Sequence, residues 1–290
     1  MQTFALTGAA GYVAPRHMQA ILDTGNSLVA VLDPHDTLGV MDRYFPEAEC
    51  FSSDHLFHQF IQGSGINYLT VCSPNHLHFQ HMKMGMQSGA HIICEKPLVI
   101  DPAQLQPLEE LEQIHHRQIK TILQLRLLPA VQAIRNALAN NTTQHIVDVQ
   151  YITSRGKWYQ HSWKGKDELS GGLVTNIGIH LFDLLIWLFG AVEDVKVHQR
   201  NECSVQGELR LERAQVSWKL SIDASELPAS AFKLGSKTFR AIRIDGQECK
   251  LDDGLEGLHT QCYREILAGN GPGLTEASPS IHLCHKILHI

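Results

Sequence analysis

Apolar positions in this chain come first in short unbroken runs and later in a looser, strand-like rhythm. Thr3–Thr7, the SLVAVLD stretch ending at Asp33, Tyr68–Cys72, His91–Cys94 and Lys120–Gln124 are too short for helices and read as buried strands. Helical patterns separate them: PRHMQAILDTG, a short helix over Asp54–Gln62, one from about Phe79 to Ser88 stopped at Gly89, and one from about Pro102 to Arg117 started by Asp101. Strands alternating with helices make a parallel sheet with right-handed crossovers, so residues 1–122 are expected to form a Rossmann domain.

From LQLRLLPAVQAIRNAL onward the rhythm changes. A helix over Pro129–Leu138 and the polar Asn140–Gln144 precede a strand in HIVDVQYITSRG. Val192–Gln199, Ser204–Leu211, Ala214–Ile222 and Thr238–Asp245 then follow as strands, with Asp245-Gly246 marking a hairpin turn. Residues 123–290 are therefore expected to form an α/β domain with a helix-flanked, mainly antiparallel sheet. The most apolar segment, LFDLLIWLFGAV, is interrupted by Asp183 and falls well short of the roughly 20 residues a bilayer requires. No membrane span, internal repeat or low-complexity segment is expected.

Composition narrows the class. The 290 residues are 43% hydrophobic and 19% charged, with net charge −6. A nucleic-acid surface needs a basic excess, so no nucleic-acid partner is expected. Seven cysteines without a CxxC pair, and no basic-then-apolar leader, point to a reducing compartment. A cytoplasmic location is the expectation.

The stretches that carry chemistry sit where the strands end. GAAGYVA follows the first strand and leads into a helix, so Ala10, Gly11, Tyr12 and Val13 would offer a dinucleotide pyrophosphate a small-residue turn and unpaired N–H groups. The register is imperfect: G-x-G-x-x-A falls on Ala9, Gly11 and Ala14, with Gly8 displaced by one place. Asp33, 22 residues after Gly11, ends the second strand; a carboxylate there accepts from the adenosine ribose hydroxyls and repels a 2′-phosphate, favouring NAD. Neither His35 nor Asp36 changes that sign. SPNHLH places Ser73, Pro74, Asn75 and His78 on the same rim as expected cofactor contacts. HIICEKPL delivers Glu95 and Lys96 to that rim as further expected cofactor contacts, and Pro97 holds Lys96 extended so that its ammonium projects from a stiff peptide. His76, His78 and His81 have a metal-like spacing, but no cysteine or carboxylate cluster completes them, and no metal is expected.

Two later stretches concentrate polar chemistry. TSRGKWYQHSWKGK packs Arg155, Lys157, Lys164 and Lys166 among Trp158, Tyr159 and Trp163, cations and flat rings suited to an anionic nucleotide sugar. In GGLVTNIGIHLFDLLIWLFG, Asn176, His180 and Asp183 fall at i, i+4 and i+7, one face if the segment is a single helix.

Taken in order, the glycine turn, SPNHLH, CEKPL and G-G-x-x-x-N-x-G-x-H-x-x-D resemble the Gfo/Idh/MocA family of oxidoreductases over almost the whole chain. YITSRGKWYQHSWKG, TNIGIHLFDLL and LHTQCYREILAGNG are similar to its WlbA/WbpB group, which oxidises the 3″-hydroxyl of UDP-N-acetylglucosaminuronic acid with NAD at the start of diacetamido uronic acid synthesis for surface polysaccharide. The resemblance implies a Rossmann domain followed by an open-faced α/β domain, and assembly as a homotetramer through the sheets. It also implies that Lys96 and His180 flank the reacting carbon, with Asn176 beside them. Arg155, Tyr159, Trp163, Lys164, Asn176 and His180 become the expected substrate contacts. Two departures are visible: relatives often carry aspartate at the position of Asn176 and arginine at that of Ser278. Competing expectations are a dehydrogenase of another sugar, an inositol or a dihydrodiol, an NAD-binding sensor without catalysis, and more distantly a metal hydrolase built on the three histidines.

Overall fold

The computed structural model describes residues 1–35, 38–139, 143–251 and 254–290. Asp36 and residues 140–142 of the polar stretch lie outside them. The chain divides into two compact units, Met1–Leu123 with Glu256–Ala277, and Gln124–Leu255 with Ser278–Ile290.

The first unit is built on six parallel strands: β1 (Thr3–Thr7), β2 (Ser27–Leu32), β3 (Glu49–Phe51), β4 (Tyr68–Val71), β5 (His91–Cys94) and β6 (Ile119–Thr121). Their order is β3-β2-β1-β4-β5-β6, which reverses direction between β1 and β4. Ligands of such sheets bind beyond the carboxyl ends of the strands at that reversal. The crossovers carry α1 (Ala14–Asp23), α2 (Asp54–Ser64), α3 (His78–Gln87) and α4 (Leu105–His115). Phe4, Leu6, Val31, Leu69, Ile92 and Ile93 are fully or almost fully buried, as two-sided strands require.

The sequence pattern assigns everything after residue 122 to the second domain, yet Glu256–Ala277 is grouped with the first unit. Packing supplies the reason. The helix Leu258–Leu267 lies on α1 with Leu258, Cys262, Tyr263 and Ile266 buried, Tyr263 stacks 6.0 Å from Phe4, and the Thr121 N–H donates to Pro272 O.

The second unit holds a six-stranded sheet made of β7 (His145–Thr153), β8 (Val192–Arg200), β9 (Ser204–Leu211), β10 (Ala214–Ser221), β11 (Thr238–Ile244) and β12 (Gln247–Lys250) in the order β12-β11-β7-β10-β9-β8. Only the β7–β10 pair is parallel. Asp245 and Gly246, both at positive φ (48° and 86°), make the β11–β12 hairpin turn that the Asp-Gly pair calls for. On β9 and β10, buried residues such as Leu209, Val216 and Trp218 alternate with exposed Glu208, Arg210, Gln215 and Ser217, so one face of the sheet is apolar and the other polar.

α5 (Pro129–Leu138) packs on α7 (Ile179–Phe189), and α7 and α6 (Gly172–Asn176) lie against the apolar face, with Leu181, Phe182, Leu184, Leu185 and Leu188 fully buried. The apolar segment is thus a core helix, and no single helix among the described residues is long and apolar enough to cross a membrane.

Candidate active site

The first unit gathers its candidate residues at the carboxyl ends of β1, β2, β4 and β5. Gly8 makes the turn after β1: its φ is +80°, its N–H donates to Leu32 O at 2.7 Å, and a Cβ there would lie 2.5 Å from Cys72 O. The displaced glycine is therefore the one the turn cannot lose. Gly11 closes the loop by donating to Gly8 O at 3.0 Å. Asp33 is buried, one oxygen accepting from the Ala10 N–H and the other from the His35 N–H, each at 2.9 Å. Each carboxylate oxygen keeps a second acceptor site, which is what a ribose hydroxyl needs. Tyr12 stands 80% exposed with the Arg16 guanidinium 5.4 Å from its ring centroid, and Val13 precedes α1. A turn of small residues from Gly8 to Gly11, backed by a carboxylate at the second strand end, fits a dinucleotide.

SPNHLH splits into two kinds of residue. Asn75 opens a short 3-10 turn behind Pro74, and His76 is exposed. His78 is buried, its Nδ1 2.6 Å from Pro97 O and its Nε2 2.8 Å from Ser73 O, and the neutral ring donates its one N–H to one of these carbonyls. Burial lowers its pKa to about 4. His81 meets Ser73 Oγ at 2.8 Å and Asp54 at 3.0 Å. The ring nitrogens of these histidines are thus engaged separately. Among the described residues, the three groups that do converge, with ligand atoms all within 4.8 Å of one another, are His17, Glu95 and His259. Glu95 meets His17 at 3.0 Å and His259 at 3.2 Å. Sequence reasoning misses this cluster; its one local signal is a histidine on the stripe that α1 buries with Ala14, Met18 and Ile21.

Lys96 follows β5 directly, and the Lys96-Pro97 peptide is cis. Its N–H donates to Glu95 Oε2 at 3.2 Å.

In the second unit, the expected single helix is two. Asn176 ends α6, His180 opens α7, and the helical segments on either side of Ile177-Gly178 turn by 46°, so the three polar residues do not share one helical face. Only glycine fits at the break: a Cβ on Gly178 would lie 2.5 Å from both Val174 O and Leu220 Cδ1. Asn176 is half-buried and donates to Tyr159 Oη at 2.8 Å. Burial raises the Tyr159 pKa, so its hydroxyl stays protonated.

His180 is half-buried in the first turn of α7. Asp183, almost one turn on, is taken by Arg126 through two bonds of 2.9 and 2.5 Å, a partner that the sequence pattern did not reveal. Burial pushes the Asp183 pKa up, and Arg126 opposes the shift. Lys164 lies 5.7 Å from the Trp158 ring centroid and 5.6 Å from that of Trp163. Burial, then the charge of Arg155, lowers its pKa. Arg155 itself is exposed, and Ser278 lies in the helix Leu274–Leu288, its Oγ 3.2 Å from His282 Nδ1.

With this geometry in view, comparisons with known proteins decide the family. Residues 3–122 match the family model described as the oxidoreductase family, NAD-binding Rossmann fold, and residues 144–225 match its C-terminal α/β domain. The chain belongs to the Gfo/Idh/MocA family of oxidoreductases. It is 46% identical to the WlbA (WbpB) dehydrogenase of Thermus thermophilus crystallised with NAD and α-ketoglutarate, over 97% of this chain and 93% of that one, with a TM-score of 0.95. The same enzyme with NAD and UDP-GlcNAcA matches at 45% identity and a TM-score of 0.95, over 98% of this chain and 94% of that one. The D-glucoside 3-dehydrogenase of Escherichia coli is 26% identical over 48% of this chain, and the match spans only 40% of that protein. Membership makes this chain an NAD-binding oxidoreductase with a Rossmann domain and a second α/β domain.

Proposed function

We propose that this protein oxidises the 3″-hydroxyl of UDP-N-acetylglucosaminuronic acid to the 3-keto sugar. The observation that carries the reading is 45% identity over 98% of the chain to an enzyme crystallised with NAD and UDP-GlcNAcA, in a chain that has Lys96 and His180 in the motifs that resemble that group's.

Gly8, Ala10, Gly11, Tyr12, Val13, Asp33, Ser73, Pro74 and Asn75 hold the dinucleotide, the Asp33 carboxylate selecting a free ribose 2′-hydroxyl. Bound NAD supplies the hydride acceptor. His180 takes the proton of the sugar hydroxyl as its C–H bond breaks. Lys96 hydrogen-bonds the same oxygen and stabilises the negative charge that develops there. Asn176 cannot ionise, so it contributes hydrogen bonds through its amide and Tyr159 rather than a further proton relay. Arg155 and Lys164 meet the uronate and diphosphate, and Trp163 offers a flat apolar face.

The reaction belongs to the cytoplasm, early in diacetamido uronic acid synthesis for lipopolysaccharide, and is carried out by a homotetramer assembled through the polar face of the second unit's sheet. Light scattering tests the assembly: a tetramer mass supports it, a monomer contradicts it.

The activity is tested by absorbance at the reduced-nicotinamide band after mixing the protein with NAD and UDP-N-acetylglucosaminuronic acid, beside UDP-N-acetylglucosamine. A rise with the uronate alone supports the proposal. A parallel arm adds 2-oxoglutarate and assays the keto sugar, which detects turnover when reduced cofactor is reoxidised in place. Absence of keto sugar in both arms overturns the proposal.

A further inference from the structure

The chemistry above gives no work to the most deeply buried polar cluster of the first unit. Glu95 Oε1 accepts from His17 Nε2 on α1 at 3.0 Å and from His259 Nε2 on the helix Leu258–Leu267 at 3.2 Å. Beyond it, His17 Nδ1 meets Tyr263 Oη, and Tyr263 Oη meets Thr70 Oγ1, both at 2.9 Å. Protons can be placed along the whole line without charging His17. The Thr70 hydroxyl donates to Tyr263, Tyr263 donates to His17 Nδ1, and both histidine Nε2–H groups donate to the carboxylate. Burial lowers the His17 pKa. Burial alone would raise that of Glu95, but the bonds from His17 and His259 hold it well below the usual range. The buried charge is therefore a carboxylate met by fixed donors. The other titratable groups near it are Cys72, Cys94, Cys262 and His78; burial pushes the three thiols up and His78 down, so all four are neutral.

This anion is tied to the peptide that carries Lys96. The Glu95 N–H donates to Val71 O at 2.9 Å, the Lys96 N–H donates to Glu95 Oε2 at 3.2 Å, and Pro97 O sits 2.6 Å from His78 Nδ1. The main-chain N–H groups of Glu95 and Lys96 are thereby pinned to buried acceptors. We propose that Glu95, held by His17 and His259, is a positioning residue for Lys96: it fixes the main chain from which the ammonium projects and sets a constant negative charge beside it. This goes beyond a role in holding the dinucleotide and rests on the part assigned to Lys96 above.

A cycle of variants tests it in the full chain. Glu95→Gln is expected to lower kcat at least about tenfold in the otherwise unchanged protein and less than about twofold in a Lys96→Ala background, because residues acting through one another are not additive. NAD affinity should change less than about threefold in either background. His259→Gln keeps an N–H donor and should retain most of kcat, whereas His259→Leu should lose it; this pair carries the test if Glu95→Gln does not fold. A second readout needs no sugar. Labelling of Lys96 by an amine-reactive reagent across pH, followed by peptide mass spectrometry, should show its midpoint falling in Glu95→Gln while that of Lys219 stays put, because an adjacent anion favours the ammonium. If the wild type fails to oxidise the UDP-sugar, the labelling arm still decides the positioning role.

An unmoved Lys96 midpoint, or an equal loss of kcat in both backgrounds, would overturn the proposal and leave Glu95 a support of the fold. So would a stoichiometric divalent metal in the purified protein that His259→Leu removes, since these same atoms lie within reach of one ion.

Discussion

A buried carboxylate is tolerated only where donors meet it, and Asp33 is met by the main-chain N–H groups of Ala10 and His35. That arrangement holds the glycine turn and the ribose-binding group in one unit. Asp33→Ala should weaken NAD binding by about tenfold to a hundredfold, the worth of charge-assisted hydrogen bonds, and narrow the preference over NADP. Calorimetric titration with both dinucleotides measures this, and an unchanged preference would contradict it. Lys96→Ala and His180→Ala should each lower kcat by about a hundredfold or more while NAD affinity moves little; equal losses of both quantities would refute their roles. The placement of Asp33 and Lys96 just beyond strand ends was legible because it is local: a strand, its end and the next few residues suffice. His17, Glu95 and His259 are spread over more than two hundred positions, and only the packing of Leu258–Leu267 on α1 makes them neighbours.

Among the elements, strands were read well because burial and alternation are written in consecutive residues. The segment around His180 was misread as one helix for a reason outside its own periodicity. One helix ends at Asn176 and the next opens at Ile179, and at the break Val174 and Leu220 leave room only for glycine at position 178. Arg126 was missed because it lies on the short helical stretch Gln124–Leu127, far in sequence from the helix it anchors. Its partner Asp183 is buried, and Arg126 itself keeps only 13% of its side chain exposed. Arg126→Met should therefore cost about 3–5 kcal/mol of stability by stranding the carboxylate, and Asp183→Leu in that background should recover much of it. Urea denaturation of the two variants measures the difference; no recovery would place the loss in packing of the arginine instead.

Across the whole molecule, buried neutral histidines make the fold sensitive to acid. His78 titrates at about 4 when folded, below its ordinary value of 6.5, and burial lowers His17 and His81 as well. As pH falls through 6.5 the unfolded chain takes up protons that the folded chain refuses, so stability declines from there toward about 4. Each tenfold difference in proton affinity between the folded and unfolded chain is worth roughly 1.4 kcal/mol. Glu95 adds to the same trend at lower pH, since its depressed pKa contributes stability that is lost on protonation. Urea midpoints at pH 7 and 5 should differ, and His78→Gln should reduce the difference; a flat profile would contradict it. The family and the two-domain plan were legible from spaced motifs. The return of Glu256–Ala277 to the first unit was not, because nothing in that stretch's own pattern distinguishes one sheet from another as its packing partner.

Hydride transfer from the sugar's third carbon to NAD is the step on which the proposed function stands, and isotope transfer tests it most directly. UDP-N-acetylglucosaminuronic acid deuterated at C3″ is mixed with stoichiometric protein and NAD, and both products are analysed by mass spectrometry after a single turnover. The expected result is reduced nicotinamide one mass unit heavier and a sugar that has lost its deuterium and gained a carbonyl. Deuterium retained in the sugar, with the nicotinamide at its ordinary mass, would contradict it.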